Sequence, residues 1–174
     1  ILFSNSHAGL TTGSGMQLYL TGKELVRRGC EVTAILKKNP ADDDKAHPSL
    51  QKLRDAGVRV IRMPFEKLNH TYTIPSLMQL ARFLHNDPPD VIHCLSGRDF
   101  DYFYILSRLM PLPPLVVNRG VGTPLTIWNR GKYRSRHTHK IMAVCEETKK
   151  VVMETGRVAP AKIAVCYSAF DPAF

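Results

Sequence analysis

Between Tyr102 and Cys145 this chain has no aspartate or glutamate, while the same stretch carries Arg108, Arg119, Arg130, Lys132, Arg134, Arg136 and Lys140. The formal net charge of +9 is therefore concentrated in one segment. A surface of that kind attracts phosphates, anionic lipid head groups or nucleic acid, the alternative being a merely solvated basic face. Long hydrophobic runs are missing too: none approaches the roughly 18 to 20 residues of a membrane span, and no charged leader precedes a cleavage-like site. The expectation is a cytoplasmic protein. Cysteine is sparse and unpaired. Cys30, Cys94, Cys145 and Cys166 lie far apart with no C-x-x-C, which argues against a disulfide framework and predicts buried free thiols in a reducing compartment. His137 and His139 have no third ligand at a sensible spacing, so no metal is expected. No G-x-S-x-G elbow occurs, since Ser96-Gly97 lacks its flanking glycine.

What is present fits one ordinary globular domain, with 44% hydrophobic and 22% charged residues in 174. The N-terminal stretch says most. A short apolar run reaching Asn5 leads into a loop that delivers Gly13-Ser14-Gly15 to the first turn of a helix, where unpaired backbone N–H groups can hold an anion. Leu18, Tyr19, Gly22, Leu25 and Val26 form one helical stripe, with Gln17, Thr21, Lys23, Glu24 and Arg28 on the other side. Gly22 within the stripe allows close helix–sheet approach, Arg27 and Arg28 suit the negative helix end, and Gly29 stops it. A strand follows from Glu31 to Leu36. Strand, helix and strand in about 35 residues form a βαβ unit of a parallel sheet.

The alternation continues. Strands are predicted at 58–61, 90–94, 115–118, 141–144 and 163–166. Helices are predicted around Leu77 to Leu84, from about Phe100 to Met110 with Asp99 or Asp101 as cap, and from Glu146 to Thr155 with Gly156 as stop. Lys38 to His47 and Phe65 to Thr73 read as surface loops. The fold class is α/β, a doubly wound, mostly parallel, Rossmann-like sheet of about seven strands covered on both faces. Ligands of such sheets bind beyond the strand carboxyl ends, so the loops to watch are Ser6 to Ser14, Phe65 to Thr73, Leu95 to Asp99, Arg119 to Thr126 and the tail after Cys166.

A dinucleotide fingerprint is disfavoured: Leu18 stands at its third glycine position, the glycines come late after Asn5, and the second strand ends in Lys37-Lys38 rather than an acid. The glycines are then either an anion loop or simply a tight turn. His93, near a strand end, reads either as a substrate contact or as a histidine satisfied by backbone. Trp128 and Tyr133 interleave with arginines as in single-strand nucleic-acid binders, yet an open α/β sheet is a less usual platform for that, and no nucleic-acid partner is expected. Val121 to Tyr133 also suits an amphipathic edge on an anionic membrane.

Three segments read together resemble the N-terminal domain of the group 1, GT4-like retaining glycosyltransferases of two-domain GT-B fold. TGSGMQLYLTGKELVRRGCEVTAIL is similar to that family's glycine loop, first helix and G-H-x-V turn, with Gly29-Cys30-Glu31-Val32 at the turn. PPDVIHCLSG resembles its P-D-V-V-H-x-H strand. HKIMAVCEETKKVVMETGRVAPAKIAVCYSAFDPAF resembles the run I-x-A-V-S-E through K-I-x-V-I-x-N-G-V-D-x-x-F. The resemblance implies an acceptor-binding domain over 1–166 and the start of an interdomain linker over 167–174. It also implies a C-terminal donor-binding domain outside this chain, without which the fragment is inactive. The intact enzyme would move a sugar from a nucleotide-diphosphate donor to a glycan or lipid-linked acceptor, such as cell-surface polysaccharide or lipopolysaccharide, with retention.

The resemblance implies a nucleotide-sugar co-substrate and neither cofactor nor metal. Gly13, Ser14 and Gly15 would face the donor diphosphate, and Arg119, Gly120 and His93 the acceptor. Catalytic candidates are His93, Arg119 and Asp99, with Asp99 and Asp101 the only conceivable carboxylate pair. Arg130, Lys132, Arg134, Arg136 and Lys140 would meet an anionic acceptor or the membrane, giving a peripheral association with its inner face. Where the family often has histidine before glycine, Arg119-Gly120 stands, a fixed cation that favours anion binding over proton transfer. Cys145 replaces the family's serine, and Ser168-Ala169-Phe170-Asp171 its N-G-V-D. A stand-alone module for nucleotides or phosphorylated ligands is the alternative reading.

Overall fold

The computed structural model describes residues 1–7, 9–10, 12–38, 48–68, 71 and 73–168. Along the chain run β1 (Leu2–Asn5), α1 (Gly13–Arg27), β2 (Thr33–Lys37), α2 (Pro48–Asp55), β3 (Arg59–Met63), α3 (Thr73–Asn86) and β4 (Ile92–Cys94). Then come α4 (Gly97–Leu109), β5 (Leu115–Arg119), α5 (Ile127–Arg134), β6 (Thr138–Ala143), α6 (Glu146–Gly156), a 3-10 turn (Pro160–Lys162) and β7 (Ile163–Val165). The strands pair in parallel in the order β3-β2-β1-β4-β5-β6-β7. This is the expected doubly wound sheet of seven strands.

Alternating strand residues feed two cores. Phe3, Ala34 and Leu36 face Leu18 of α1 with Leu50 and Leu53 of α2. Leu2, Ile35, Ile92, Val117 and Ile141 face α3 to α6 through Leu80, Phe100, Phe103, Tyr133 and Val152. Each fully buried Val, Leu, Ile or Phe among these contributes about 1.5–3 kcal/mol of transfer free energy. Because the chain leaves β1 in one direction toward β2 and β3, then returns through α3 to β4 on the other side, the crevice opens between the carboxyl ends of β1 and β4.

Local chemistry explains α1. Thr12 is its N-cap, its Oγ1 accepting from Gly15 N at 3.1 Å. At the other end Gly29 adopts φ +84, its N–H donates to Val26 O, and that of Cys30 to Leu25 O. That is a Schellman closure, with Arg28 as C-cap. At Gly22 an added Cβ would sit 3.2 Å from Val58 Cγ2, so the expected close packing holds.

Several expectations need correction. Helix α2, which begins at Pro48, falls where no helix was expected, and α5 arises inside the basic segment, where none was predicted either. In α5 only Lys132 and Tyr133 are buried, too few to print an apolar stripe. Phe65 and Thr73, expected on a surface loop, are buried, Phe65 against the Tyr102 ring. Residues 39–47, 69, 70 and 72 of the two predicted loops lie outside the described residues. Helix α4 is capped by Ser96, with Asp99 at its third position closing a capping box, so neither aspartate is the cap. Gly156 does not stop α6: it is its buried last residue, and Arg157 takes the left-handed turn at φ 51. Its glycine is needed for space, since an added Cβ would lie 2.7 Å from Leu125 Cδ1. All four cysteines are free, but only Cys94 is buried. The thiol of Cys145 instead caps α6, accepting from Thr148 N at 3.5 Å, and bonding with the Thr148 side chain and backbone lowers its pKa.

Candidate active site at the strand carboxyl ends

Beyond the carboxyl ends of β1, β4 and β5 lies a cavity of about 410 Å³ whose walls include Thr12, Gly13, Ser14, Ser96, Arg119 and Gly120. The α1 wall is neutral. Asn5 Nδ2 donates to Ser14 Oγ at 3.2 Å, and Thr12 Oγ1 lies 3.1 Å from the same hydroxyl. With Thr12 already serving Gly15, the N–H groups of Gly13 and Ser14 find no acceptor among the described residues. They stand at the positive end of the α1 dipole, on the cavity. Gly15 does not line it. An added Cβ there would meet Gly9 O at 2.6 Å and Leu10 Cα at 2.7 Å, so this glycine lets the loop fold onto the helix, whereas Gly13 has open space.

Arg119 and Gly120 form the facing wall at the end of β5. The guanidinium of Arg119 is steadied by Thr123, Nη2 donating to Thr123 Oγ1 at 3.0 Å, and lies 5.9 Å from the Tyr133 ring. Below the cavity, Ser96 Oγ lies 2.5 Å from Ser6 Oγ and donates to Asp99 Oδ1, while Leu95 N donates to Asp99 Oδ2 at 3.1 Å. Burial raises the Asp99 carboxyl to about 7 against the pull of its hydrogen bonds from Ser96. It sits behind Ser96 rather than on the cavity.

His93 does not line the cavity either. It pairs in register with Phe3, the two rings 5.2 Å apart, and faces the α1 side of the sheet. Burial lowers its pKa to about 4, which keeps the ring neutral, and its Nε2 has no partner among the described residues. The candidate loops of the sequence include Thr12 and Ser96 without singling them out, and Gln17 and Asn118 were missed; all four lie on the cavity. Asn118 Nδ2 donates to Gln17 Oε1 at 2.6 Å, tying β5 to α1 across 101 residues of sequence. The polar break in its apolar run could have flagged Asn118, and Asp99 three residues on could have flagged Ser96.

A family model for Glycosyltransferase Family 4 matches residues 11–174. The chain belongs to this family. Its fold is similar to a glycosyltransferase from Rickettsia africae (TM-score 0.73, 16% identity, covering 95% of this chain and 42% of that one). It is also similar to Anabaena HepE solved with UDP and glucose (TM-score 0.66, 14% identity, 98% and 44%). A third likeness is to WaaB, a lipopolysaccharide outer core galactosyltransferase (TM-score 0.64, 12% identity, 95% and 44%). No curated protein matches by sequence. The chain thus spans less than half the length of these GT-B structures and forms one Rossmann-like half of that architecture.

The basic segment of this family 4 chain divides. Lys132, expected on the surface patch, is 8% exposed and forms an ion pair with Asp101 beneath α5, its Nζ 5.0 Å from the Phe100 ring centroid. Arg134, Arg136 and Lys140 are exposed and Arg130 is half-buried. Arg136 lines a groove with Arg108 and His137 at the opposite end of the sheet, where partial desolvation and then Arg136, Arg108 and His139 lower the His137 pKa. On α5, Trp128 is 94% and Ile127 72% exposed. Among the described residues no three His, Cys, Asp or Glu side chains gather to hold a metal, and no helix is long and apolar enough to cross a membrane.

Proposed function

We infer that this chain is the acceptor-side half of a retaining glycosyltransferase that transfers a sugar from a nucleotide diphosphate to a glycan or lipid-linked acceptor hydroxyl. A second domain completes the site and carries most donor contacts. The observation that carries the reading is the cavity at the switch point, where the free N–H groups of Gly13 and Ser14 face the Arg119 guanidinium. Such a pair of walls suits a departing diphosphate: fixed backbone donors and a permanent cation stabilise the charge that builds on the leaving oxygens as the sugar becomes cation-like. No side-chain nucleophile is assigned, since Asp99 is occupied behind Ser96 and Asp101 is paired with Lys132. Retention then follows when the acceptor hydroxyl approaches the face from which the diphosphate leaves, giving up its proton to the departing phosphate.

HepE was solved with UDP and glucose, which makes UDP-hexoses the first donors to try. The exposed Ile127 and Trp128 beside Arg130 and Arg134 support a lipid-facing edge, and hence a lipid-linked acceptor on an anionic membrane. The test is nucleoside diphosphate release by the full natural protein given UDP-, GDP- and ADP-hexoses, with and without phosphatidylglycerol vesicles bearing lipid acceptor. Release that falls in Gly13→Val and Arg119→Gln supports the reading, with vesicle binding weakened by salt. Absence of release with every donor, or tight nucleotide binding by residues 1–174 alone, overturns it in favour of a stand-alone binding module.

A further inference from the structure

A second cavity of about 380 Å³ opens between α4 and α5, walled by Asp101, Thr123, Asn129 and Lys132. It shares Gly97, Arg119 and Tyr133 with the larger cavity, so the two adjoin at the Arg119 side chain. We propose that this side cavity is a subsite for a neutral, hydroxyl-rich ring of the acceptor, recognised by the Asp101 carboxylate and the Asn129 amide. The proposal rests on the glycosyltransferase reading and adds the place and chemistry of acceptor recognition.

The Lys132–Asp101 pair carries the argument. A lysine buried against two aromatic rings loses hydration, and a purely apolar pair of similar volume would pack there at no electrostatic cost. What the ion pair supplies is a carboxylate held in one orientation. Lys132 Nζ takes Asp101 Oδ1, the aspartate side chain stays 32% exposed, and Oδ2 has no partner among the described residues. A pinned carboxylate with a free oxygen on a cavity wall accepts hydrogen bonds from sugar hydroxyls, and charge assistance makes these bonds stronger than neutral ones. The exposed Asn129 offers both a donor and an acceptor at the same wall. Because Lys132 and Asp101 neutralise one another, the positive charge left on this cavity is that of Arg119, at its boundary with the larger one. Arg119 stands at the junction, so a ring in the side cavity lies next to the place proposed for the leaving diphosphate.

The experiment uses the full natural protein, methyl glycosides of glucose, galactose, mannose and N-acetylglucosamine as probes, and two readouts. Saturation-transfer NMR reports glycoside contact without any turnover, and transfer assays with the active donor give separate KM values for donor and acceptor. Asp101→Asn is expected to raise the acceptor KM at least about tenfold, from loss of bonds to a charged group. Asn129→Ala raises it by a smaller factor, and the donor KM stays within twofold in both. Because Asp101→Asn strands the Lys132 charge, the Asp101→Asn/Lys132→Met double variant is measured alongside; it folds without a buried charge and shows the same acceptor defect. Loss of the NMR contact in these variants supports the subsite. An unchanged acceptor KM, a donor KM that rises equally, or preferential binding of inorganic phosphate over every glycoside overturns it. Failure of the parent reading looks different, as glycoside contact without nucleoside diphosphate release.

Discussion

The two walls of the cleft are built by different physics. The β1–α1 wall is uncharged: Thr12, Ser14 and Asn5 bond to one another and to the first turn of α1, and Gly15 is pressed against the Gly9 and Leu10 backbone. These contacts join residues at most nine apart in sequence, and hydrogen bonds and steric fit together hold their shape, with Asn118 to Gln17 the long-range tie to the other wall. The β5–α5 wall is ionic and aromatic. Arg119 lies over Tyr133, Lys132 pairs with Asp101 from 31 residues away, and the ring of Phe100 lies under the lysine. One wall presents donors that cannot move or titrate, and the other presents charges whose placement depends on side-chain packing. Under the proposed function, the neutral wall would hold the diphosphate and the charged wall would meet the acceptor.

The largest expected effect tests the steric claim. In Gly15→Ala the new methyl meets backbone at 2.6 Å and 2.7 Å, and backbone cannot turn aside as a flexible side chain can. Overpacking of this kind costs about 2–3 kcal/mol, a fall in Tm of roughly 5–10 °C in a domain this size. Arg119→Gln on the opposite wall is expected to cost less than about 1 kcal/mol, the range of partly exposed substitutions away from a core. Urea denaturation of the two variants ranks them. If the arginine change proves as destabilising as the glycine change, the walls are not different in kind.

A pH series separates the two buried titrating groups behind the walls. His93 has its pKa depressed from 6.5 to about 4 by burial, so the unfolded chain takes up the proton first and this residue's contribution is lost as pH falls from about 6.5 to about 4. Asp99 has its pKa raised from 3.8 to about 7, so its contribution is fully present below 3.8 and is lost as pH rises through about 7. The shifts correspond to about 3 kcal/mol for His93 and about 4 kcal/mol for Asp99. In the native chain the two slopes oppose and nearly offset between pH 4 and 7. His93→Phe should therefore gain stability as pH falls over that window, and Asp99→Asn should lose it. Two parallel profiles would mean that neither group is as buried as its surroundings imply.

How much of this was legible follows the same division. The sheet was readable because its strands are short apolar runs punctuated by Gly, Pro and Asp, and α1 because its stripe, cap and Gly29 all act within a few residues. Gly13 and Ser14 were found for that reason, as was the place of the cavity, which topology dictates. Lys132 was misread because a lysine in a basic run says nothing about a partner 31 residues upstream. Helix α5 was missed because it buries a lysine and a tyrosine rather than a row of leucines. His93 was aimed at the cleft by its place near a strand end, but register with Phe3 turns it to the α1 face. Ser96 had a local signal in Asp99 three residues on, which closes its capping box, but its contact with Ser6, like that of Asn118 with Gln17, joins residues far apart in sequence.

The smallest expected effect examines whether α5 is fixed by its buried pair or by its own helical tendency. Gly131 lies between Arg130 and Lys132, on the exposed side, and an added Cβ would meet nothing within 4 Å. Its φ is not positive, so alanine fits the existing backbone without strain. Replacing it should stabilise the chain by about 0.5–1 kcal/mol, through the unfolded state and helix propensity. The rise in Tm would be about 2–3 °C. Lys132→Met in the Gly131→Ala background then asks where the rigidity lies. If Gly131→Ala preserves the amide-exchange protection of α5 after the ion pair is gone, the helix holds itself and the pair serves only to orient Asp101. Loss of that protection would make the charged wall depend on its ion pair for shape, as the neutral wall depends on Gly15.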